Sequence, residues 1–354
     1  MPETIDSLDT PCVLIDIDRV EANLRRAQDY ADGHGMALRP HIKTHKLPRF
    51  ARRQIELGAI GITCQKLGEA EVMADAGIGD IFLPYNIMGP DKLLRLRRLN
   101  ERIKLAVTAD SRFTIEGYAR TMADAGRPLE VLVECDTGMG RCGVQEPAEA
   151  VDLARAIAAA PGLVFGGIMT YPPAGAPAAA REKLAAIAEA LQAAELPART
   201  ISTGGTPDLW AAHETQIATE YRPGTYIYLD RFQVAKGVGG LDDCALTVLA
   251  TVVSRPTQDR AVIDAGSKAL TSDMLGLSGH GLILDYPEAV ISSLSEEHGT
   301  IDLSASARRP AIGERLRIVP NHACPVSNLF DKIHLVSGNH VVATEPVAAR
   351  GRVD

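Results

Sequence analysis

Between Asp18 and Tyr221 the sequence alternates short apolar runs with longer stretches of helical periodicity, and it does so eight times. Neighbouring parallel strands need long crossover connections, which helices supply, so this alternation specifies an α/β arrangement with a parallel sheet. The runs are Met36–Arg39, Ile60–Thr63, Asp80–Leu83, Ile103–Val107, Glu130–Glu134, Val164–Met169, Arg199–Ser202 and Ala218–Tyr221. Intervening stretches such as Glu146–Ala160 and Arg181–Ala194 are rich in Ala, Leu, Arg and Glu, with apolar residues three and four apart. Eight βα repeats in one domain predict a (β/α)8 TIM-type barrel rather than a doubly wound sheet.

Beyond Gly239 the texture changes to β-branched runs, Leu246–Val253, Ala261–Ile263, Leu316–Val319 and Lys332–Val336, separated by turn residues. This predicts a smaller, mostly β C-terminal domain. The early run Cys12–Ile17 has no place in a complete eight-strand barrel and is expected to pair with that second domain. The predicted organisation is a barrel over 18–238 and a β domain built from 1–17 plus 239–354, which 354 residues can accommodate. Pro172–Ala180, rich in Pro and Ala, reads as a loop.

Charge and cysteine usage exclude several functions. Lys and Arg number 37 against 45 Asp and Glu, a formal charge of -8, the opposite of what a nucleic-acid partner requires. The most basic cluster, Leu94-Arg95-Leu96-Arg97-Arg98, lies in a predicted helix and reads as a solvated face. Six scattered cysteines without a CxxC pair argue against a disulfide framework and a zinc finger. Met1 to Thr10 is polar and acidic, without a signal pattern, and no apolar run approaches the length of a membrane span. The expected setting is cytoplasmic, with reduced thiols and no membrane partner.

Active sites of such barrels lie at the C-terminal ends of the strands, often with a phosphate site in the loops after strands seven and eight. Here strand seven is followed by Ser202-Thr203-Gly204-Gly205-Thr206-Pro207 and strand eight by Arg222-Pro223-Gly224-Thr225-Tyr226. Glycines let backbone N–H groups approach an anion, and Pro207 suits the first turn of a helix, so a monophosphate fits. Each loop alone also reads as an ordinary turn.

Strand one is followed by Arg39-Pro40-His41-Ile42-Lys43-Thr44-His45-Lys46, which is either a solvated basic loop or the seat of a nucleophilic lysine. Its His-x-Lys-x-His spacing also permits a metal site, for which no third ligand is identified. Gly138-Met139-Gly140-Arg141-Cys142-Gly143 matches GxGxxG, the mark of a dinucleotide fold. It sits mid-chain, and no Asp or Glu ends the next strand, so the stronger reading is a rim loop aiming Arg141 into the site. In Pro320-Asn321-His322-Ala323-Cys324-Pro325, extended backbone would put His322 and Cys324 on one side, as a metal pair or as buried structural residues.

Together, Asp9-Thr10-Pro11, Arg39 to Lys46, Asp136 to Val144, Ser202 to Pro207 and Pro320 to Cys324 resemble D-threonine aldolases and eukaryotic-type D-serine dehydratases, essentially from end to end. These are fold-type III pyridoxal-phosphate enzymes, similar in architecture to alanine racemase. The resemblance implies pyridoxal 5'-phosphate held by Lys43 as a Schiff base, Arg141 near its phenolic oxygen and Tyr171 by its pyridine ring. It assigns Gln65 and Thr203 to the cofactor site, and Gly204, Gly205, Thr206, Gly224, Thr225 and Tyr226 to the phosphate. His322 and Cys324 would bind a divalent metal, Mn2+, Zn2+ or Mg2+, facing the substrate's β-hydroxyl.

The implied substrate is a D-amino acid and the implied assembly a homodimer. The favoured activity is D-threonine aldolase, a lyase cleaving D-3-hydroxy amino acids to glycine and an aldehyde. The alternative is a dehydratase acting on D-serine or D-threo-3-hydroxyaspartate, giving a keto acid and ammonia. Gln65, Arg141 to Val144 and Tyr171 resemble the aldolases, whereas Cys324 resembles the dehydratases. Aldolases usually carry a basic histidine just past the tyrosine, but here that stretch reads Pro172-Pro173-Ala174-Gly175-Ala176-Pro177. Metal-bound water, His41 and His45 are the candidate bases. A non-catalytic pyridoxal-phosphate carrier, the alternative of another class, would lack the β domain and the His-x-Cys segment.

Overall fold

The structure, a computed structural model, describes residues 3–354. Two compact units divide the chain. One comprises the chain to Arg25, Thr44–Lys46 and Thr225–Gly351, and the other Arg26–Lys43, Leu47–Gly224 and Arg352–Asp354. The main divisions fall after Arg25 and Gly224, where the sequence analysis placed them after residues 17 and 238.

After strand β1 (Cys12–Asp16) and helix α1 (Ile17–Gly33) come the barrel strands: β2 (Ala37–Leu38), β3 (Ile62–Thr63), β4 (Asp80–Leu83), β5 (Lys104–Ala109), β6 (Leu129–Glu134), β7 (Leu163–Met169), β8 (Thr200–Thr203) and β9 (Glu220–Tyr221). They form one parallel eight-stranded sheet in the order β2-β9-β8-β7-β6-β5-β4-β3. The sheet ends meet through a parallel bridge between His41 and Thr63. Backbone bonds from Ile60 N to Leu38 O (2.9 Å) and Thr63 N to Pro40 O (2.7 Å) reinforce that junction. All eight predicted runs overlap an observed strand.

Ile62, Ile81, Leu83, Val107, Val131, Val133 and Ile168 are fully buried, and each such side chain contributes about 1.5–3 kcal/mol of apolar burial. The lower end of the barrel is ionic instead. Arg39 donates from Nε to Glu220 (2.7 Å) and from Nη1 to Asp80 (2.6 Å), and Lys104 donates to the other Asp80 oxygen (2.7 Å). Ser202 Oγ donates to the second Glu220 oxygen at 2.5 Å, extending the network up the barrel interior.

Capping chemistry sets the outer helices. Helix Pro147–Ala159 opens with a proline and a Glu146/Glu149 capping box. Helix Pro177–Ala193 starts inside the stretch predicted as loop, because a proline lacks the N–H that a first turn cannot satisfy and its fixed φ already suits that turn. The Pro172–Ala180 expectation is therefore corrected: only its first half is loop. The basic cluster lies on helix Pro90–Arg102 as predicted, but Arg95 is spent on Glu71, with bonds of 2.9 and 2.6 Å.

The second unit is mostly β: β10 (Leu246–Thr257), β11 (Arg260–Ile263), β12 (Leu282–Ile283), β13 (Val290–Leu294), β14 (Gly299–Asp302), β15 (Arg315–Val319), β16 (Lys332–Ser337) and β17 (His340–Pro346). As expected, β1 joins it, antiparallel to β10 with Leu14 opposite Thr247 and parallel to β16 with Ile15 opposite Leu335. Val13, Leu14, Ile15, Leu246, Val248, Leu316 and Ile318 are buried in this unit. Strands β12, β13, β14 and β17 were not predicted, since they are short or, in β17, half-exposed along their length. Among the described residues no helix is long and apolar enough to cross a membrane.

Candidate active site

In the barrel unit the predicted residues collect at the C-terminal ends of the strands. Lys43 lies in a single tight turn, Ile42–Thr44, directly after β2. That turn is anchored by His41, whose backbone N–H donates to Pro223 O at 2.8 Å. The His41 Nδ1 accepts from the Lys43 backbone N–H (3.3 Å), which puts the ring proton on Nε2 for donation to Gln65 Oε1 at 3.1 Å. His41 thus ties the Lys43 turn to Gln65. His45 is completely buried.

The two glycine-rich loops keep backbone donors free for an anion. Gly204 has φ +107, and a Cβ there would come within 2.4 Å of the Tyr221 ring, so only glycine fits. The Tyr221 hydroxyl donates to Gly205 O at 2.9 Å, and Gly224 N–H donates to Thr206 Oγ1 at 3.1 Å, tying the loops after β8 and β9 together. Among the described residues, the backbone N–H groups of Gly204 and Gly205 donate to no protein acceptor. Thr225, in the β unit by packing, likewise keeps its N–H unspent, and Tyr226 follows it in the same turn. Unspent N–H groups in glycine-rich loops are what a phosphate dianion requires, so these residues fit pyridoxal phosphate.

The GxGxxG segment is spent differently. The Asp136 carboxylate accepts from Gly138 N–H (2.9 Å) and Gly140 N–H (3.1 Å). Burial pushes the Asp136 acid up, but those N–H groups hold it below the usual carboxylate range. With its N–H groups turned onto its own aspartate and set on a barrel, this loop is no dinucleotide cradle. It instead carries Arg141, whose guanidinium lies 5.1 Å from the centre of the Tyr171 ring.

Sequence reasoning missed the polar groups below this rim. Glu134 ends β6 and is pushed up to about 7, by burial first and then by Asp110, with Arg141 and Arg222 opposing. Arg222 is buried, which lowers its pKa to about 10, and donates to Thr170 O at 2.7 Å and to Ser202 Oγ. The only available signals were that Glu134 closes an apolar run and Arg222 opens the Arg-Pro-Gly loop.

In the β unit His322 and Cys324 come together, but not by strand alternation. His322 caps helix Ala323–Leu329, and Cys324 lies in its first turn, so the expectation of extended backbone is corrected. Asp230, fully buried, accepts from Ala323 N–H and Gln233 N–H, each at 2.9 Å, and fixes the start of that helix. Asp273 Oδ2 accepts the Nδ1 proton of His322 at 2.7 Å, which leaves Nε2 as the nitrogen that would face a metal. Cys324 Sγ lies 3.1 Å from Thr44 Oγ1 and 3.4 Å from Thr225 Oγ1.

Burial pulls the His322 pKa down, but the Cys324 sulfur and the Asp273 and Asp230 carboxylates outweigh it and lift it to about 9. Sulfur, imidazole and a supporting carboxylate suit a borderline divalent metal. No group of three or more His, Cys, Asp or Glu forms such a site among the described residues. Any divalent ion held here would therefore find only His322 and Cys324 as direct protein ligands among the described residues.

Residues 15–231 match the alanine racemase, N-terminal domain family, and residues 245–336 match a putative serine dehydratase domain. The chain is therefore of the alanine racemase-like class, a barrel followed by a β domain, and this class implies pyridoxal phosphate. Within it, the chain belongs to the D-threonine aldolase and D-serine dehydratase-like family of lyases. It is 35% identical to a D-threonine aldolase from Arthrobacter sp, over 97% of this chain and 93% of that protein. It is likewise 35% identical to the D-threo-3-hydroxyaspartate dehydratase of Delftia sp. (strain HT23), over 97% of this chain and 98% of that one. The crystal structure of D-threonine aldolase from Filomicrobium marinum superposes with a TM-score of 0.92 at 34% identity, covering 100% of this chain and 99% of that one.

Proposed function

We propose that the protein is a pyridoxal-phosphate- and metal-dependent D-threonine aldolase, cleaving D-3-hydroxy amino acids to glycine and an aldehyde. The observation that carries this reading is the presence, in one chain, of a rim lysine, unspent phosphate-loop N–H groups and a sulfur–imidazole pair. Similarity to D-threonine aldolases along nearly the whole length supports the choice of reaction.

Lys43 is the attachment point of the cofactor, and His41 and Gln65 orient its turn. The loops Thr203 to Thr206 and Gly224 to Tyr226 take the phosphate, and Tyr171 and Arg141 line the ring and its phenolic oxygen. Bound pyridoxal phosphate supplies an electron sink for the bond broken at Cα. His322 and Cys324 hold a divalent cation, Mn2+, Zn2+ or Mg2+, whose role is to polarise the β-hydroxyl. His41 and the buried His45 are the candidate bases for the hydroxyl proton.

A second reading, a dehydratase giving a keto acid and ammonia, is favoured by Cys324 in the metal pair and by the histidine-free stretch Pro172 to Pro177. In that case the amine of Lys43 removes the Cα proton. We further place the enzyme in the cytoplasm as a homodimer.

The test is product identification after incubating the cofactor-loaded protein with D-threonine and Mn2+. Glycine and acetaldehyde are expected. Formation of 2-oxobutanoate and ammonia instead would transfer the assignment to the dehydratase.

A further inference from the structure

His322 is the N-cap of helix Ala323–Leu329, yet its side chain makes no capping bond. An N-cap side chain, usually Ser, Thr, Asp or Asn, accepts from the first backbone N–H groups of its helix, which have no partner within it. Here His322 Nδ1 donates instead to Asp273 Oδ2 at 2.7 Å. The N–H of Ala323 is taken up from outside the helix, by Asp230 Oδ2 at 2.9 Å. Ala323 is the residue between the two candidate ligands, and both it and Asp230 are fully buried.

Asp230 is itself the N-cap of helix Arg231–Ala235, and its other oxygen accepts from Gln233 N–H at 2.9 Å. One carboxylate thus caps two helices, a task that takes both of its acceptor oxygens. The backbone that follows is locked to the same segment: Arg231 N–H donates to Pro320 O at 3.0 Å and Phe232 N–H to Asn321 O at 3.2 Å. Leu229, the residue before Asp230, is buried with φ +48, a left-handed conformation that a leucine rarely adopts. Strain of this kind persists only where the surroundings over-determine it, and it collects at functional sites.

We propose that Asp230 is the positioning residue of the metal pair. By capping helix Ala323–Leu329 in place of His322, it leaves that imidazole to a metal and holds Cys324 in the first turn beside it. This rests on the reading above, in which His322 and Cys324 hold a divalent cation. Without the second Asp230 oxygen, the Ala323 N–H would lose its acceptor inside the protein, and the turn that carries Cys324 would shift to find another.

The experiment compares wild type, Asp230→Asn and Asp230→Glu as metal-free holoenzymes. Asn has the same shape but only one acceptor oxygen, so it turns an NH2 donor toward one of the two N–H groups; Glu keeps both oxygens. Zn2+ and Co2+ are titrated into each protein, the ligand-field bands of the Co2+ form report coordination geometry, and pyridoxal phosphate affinity is measured separately. Asp230→Asn is expected to bind both ions about 10- to 100-fold more weakly, the range of lost outer-shell support, with altered Co2+ bands and wild-type cofactor affinity. Asp230→Glu should recover part of the metal affinity. Because Asp230 is buried, hydrogen exchange is also followed in the wild type, where the Ala323 amide should be strongly protected before any metal is added.

Wild-type metal affinity in folded Asp230→Asn, or an equal loss of metal and cofactor affinity, overturns the proposal while leaving the aldolase reading intact. Fast exchange of the Ala323 amide in the metal-free wild type overturns it even if neither variant folds. Failure of the wild type to bind either ion overturns the metal pair itself, and this inference with it.

Discussion

The hydroxyl of Thr44 lies 3.1 Å from the sulfur of Cys324, and Thr44 is the residue next to Lys43. Within the β unit, Thr44 is thus bonded to a candidate metal ligand. Thr44 is fully buried, so this bond forms out of bulk water. Thr44→Val keeps the shape and removes the hydroxyl, leaving the sulfur without that partner. The expected result is metal affinity lower by about 10-fold, in the range of lost outer-shell support, read by titrating Mn2+ into the apo-metal holoenzyme. Affinity equal to wild type would show the contact to be incidental.

Asp273 is predicted to act through His322. Its carboxylate accepts the Nδ1 proton at 2.7 Å and so presents Nε2 outward. Asp273→Asn should weaken metal binding by about 10- to 100-fold, with activity partly recovered at high Mn2+. Thermal stability should change little, because both side chains are partly exposed, 29% for His322 and 44% for Asp273. Undiminished metal affinity would remove Asp273 from the site.

Glu134 makes stability depend on pH. Its folded pKa is raised from 4.5 to about 7, mainly by burial. The folded protein therefore favours the protonated acid: the stabilisation is fully present below 4.5 and is lost as pH rises through about 7. Glu134→Gln mimics the protonated form. It should match wild type near pH 4 and be more stable at pH 8 by about 2–3 kcal/mol, as measured by denaturant unfolding at both values. Equal stability at pH 8 would mean that Arg141 and Arg222 offset the burial in full.

Gly204 permits no side chain. With φ at +107 and a Cβ position 2.4 Å from the Tyr221 ring, Gly204→Ala must shift the loop that carries the unspent N–H groups. Stability should fall by about 1–3 kcal/mol, and pyridoxal phosphate should bind more weakly by equilibrium dialysis. Retention of wild-type cofactor affinity would place the phosphate elsewhere.

The barrel was legible because a parallel strand buried on both faces leaves an apolar run of a few residues, and all eight such runs were visible, from Asp80–Leu83 to the two-residue pairing at Glu220–Tyr221. Strand β14 was not, since Gly299-Thr300-Ile301-Asp302 buries only one large apolar side chain. The rim loops were legible as glycine and hydroxyl clusters. The spending of their N–H groups was not: sequence spacing cannot show that Asp136 occupies the GxGxxG donors while Gly204 and Gly205 keep theirs. Nor could it reveal that Asp273, 49 positions from His322, sets that histidine's tautomer.

The central claim is that Lys43 carries pyridoxal phosphate. The purified holoenzyme should show an absorbance band near about 420 nm, characteristic of the lysine-linked cofactor. The direct measurement is reduction of that holoenzyme with borohydride, followed by proteolysis and mass spectrometry of every lysine-containing peptide. The account predicts a phosphopyridoxyl group on Lys43 and its disappearance in Lys43→Ala. A label on another lysine of the wild-type enzyme, or none, would contradict it.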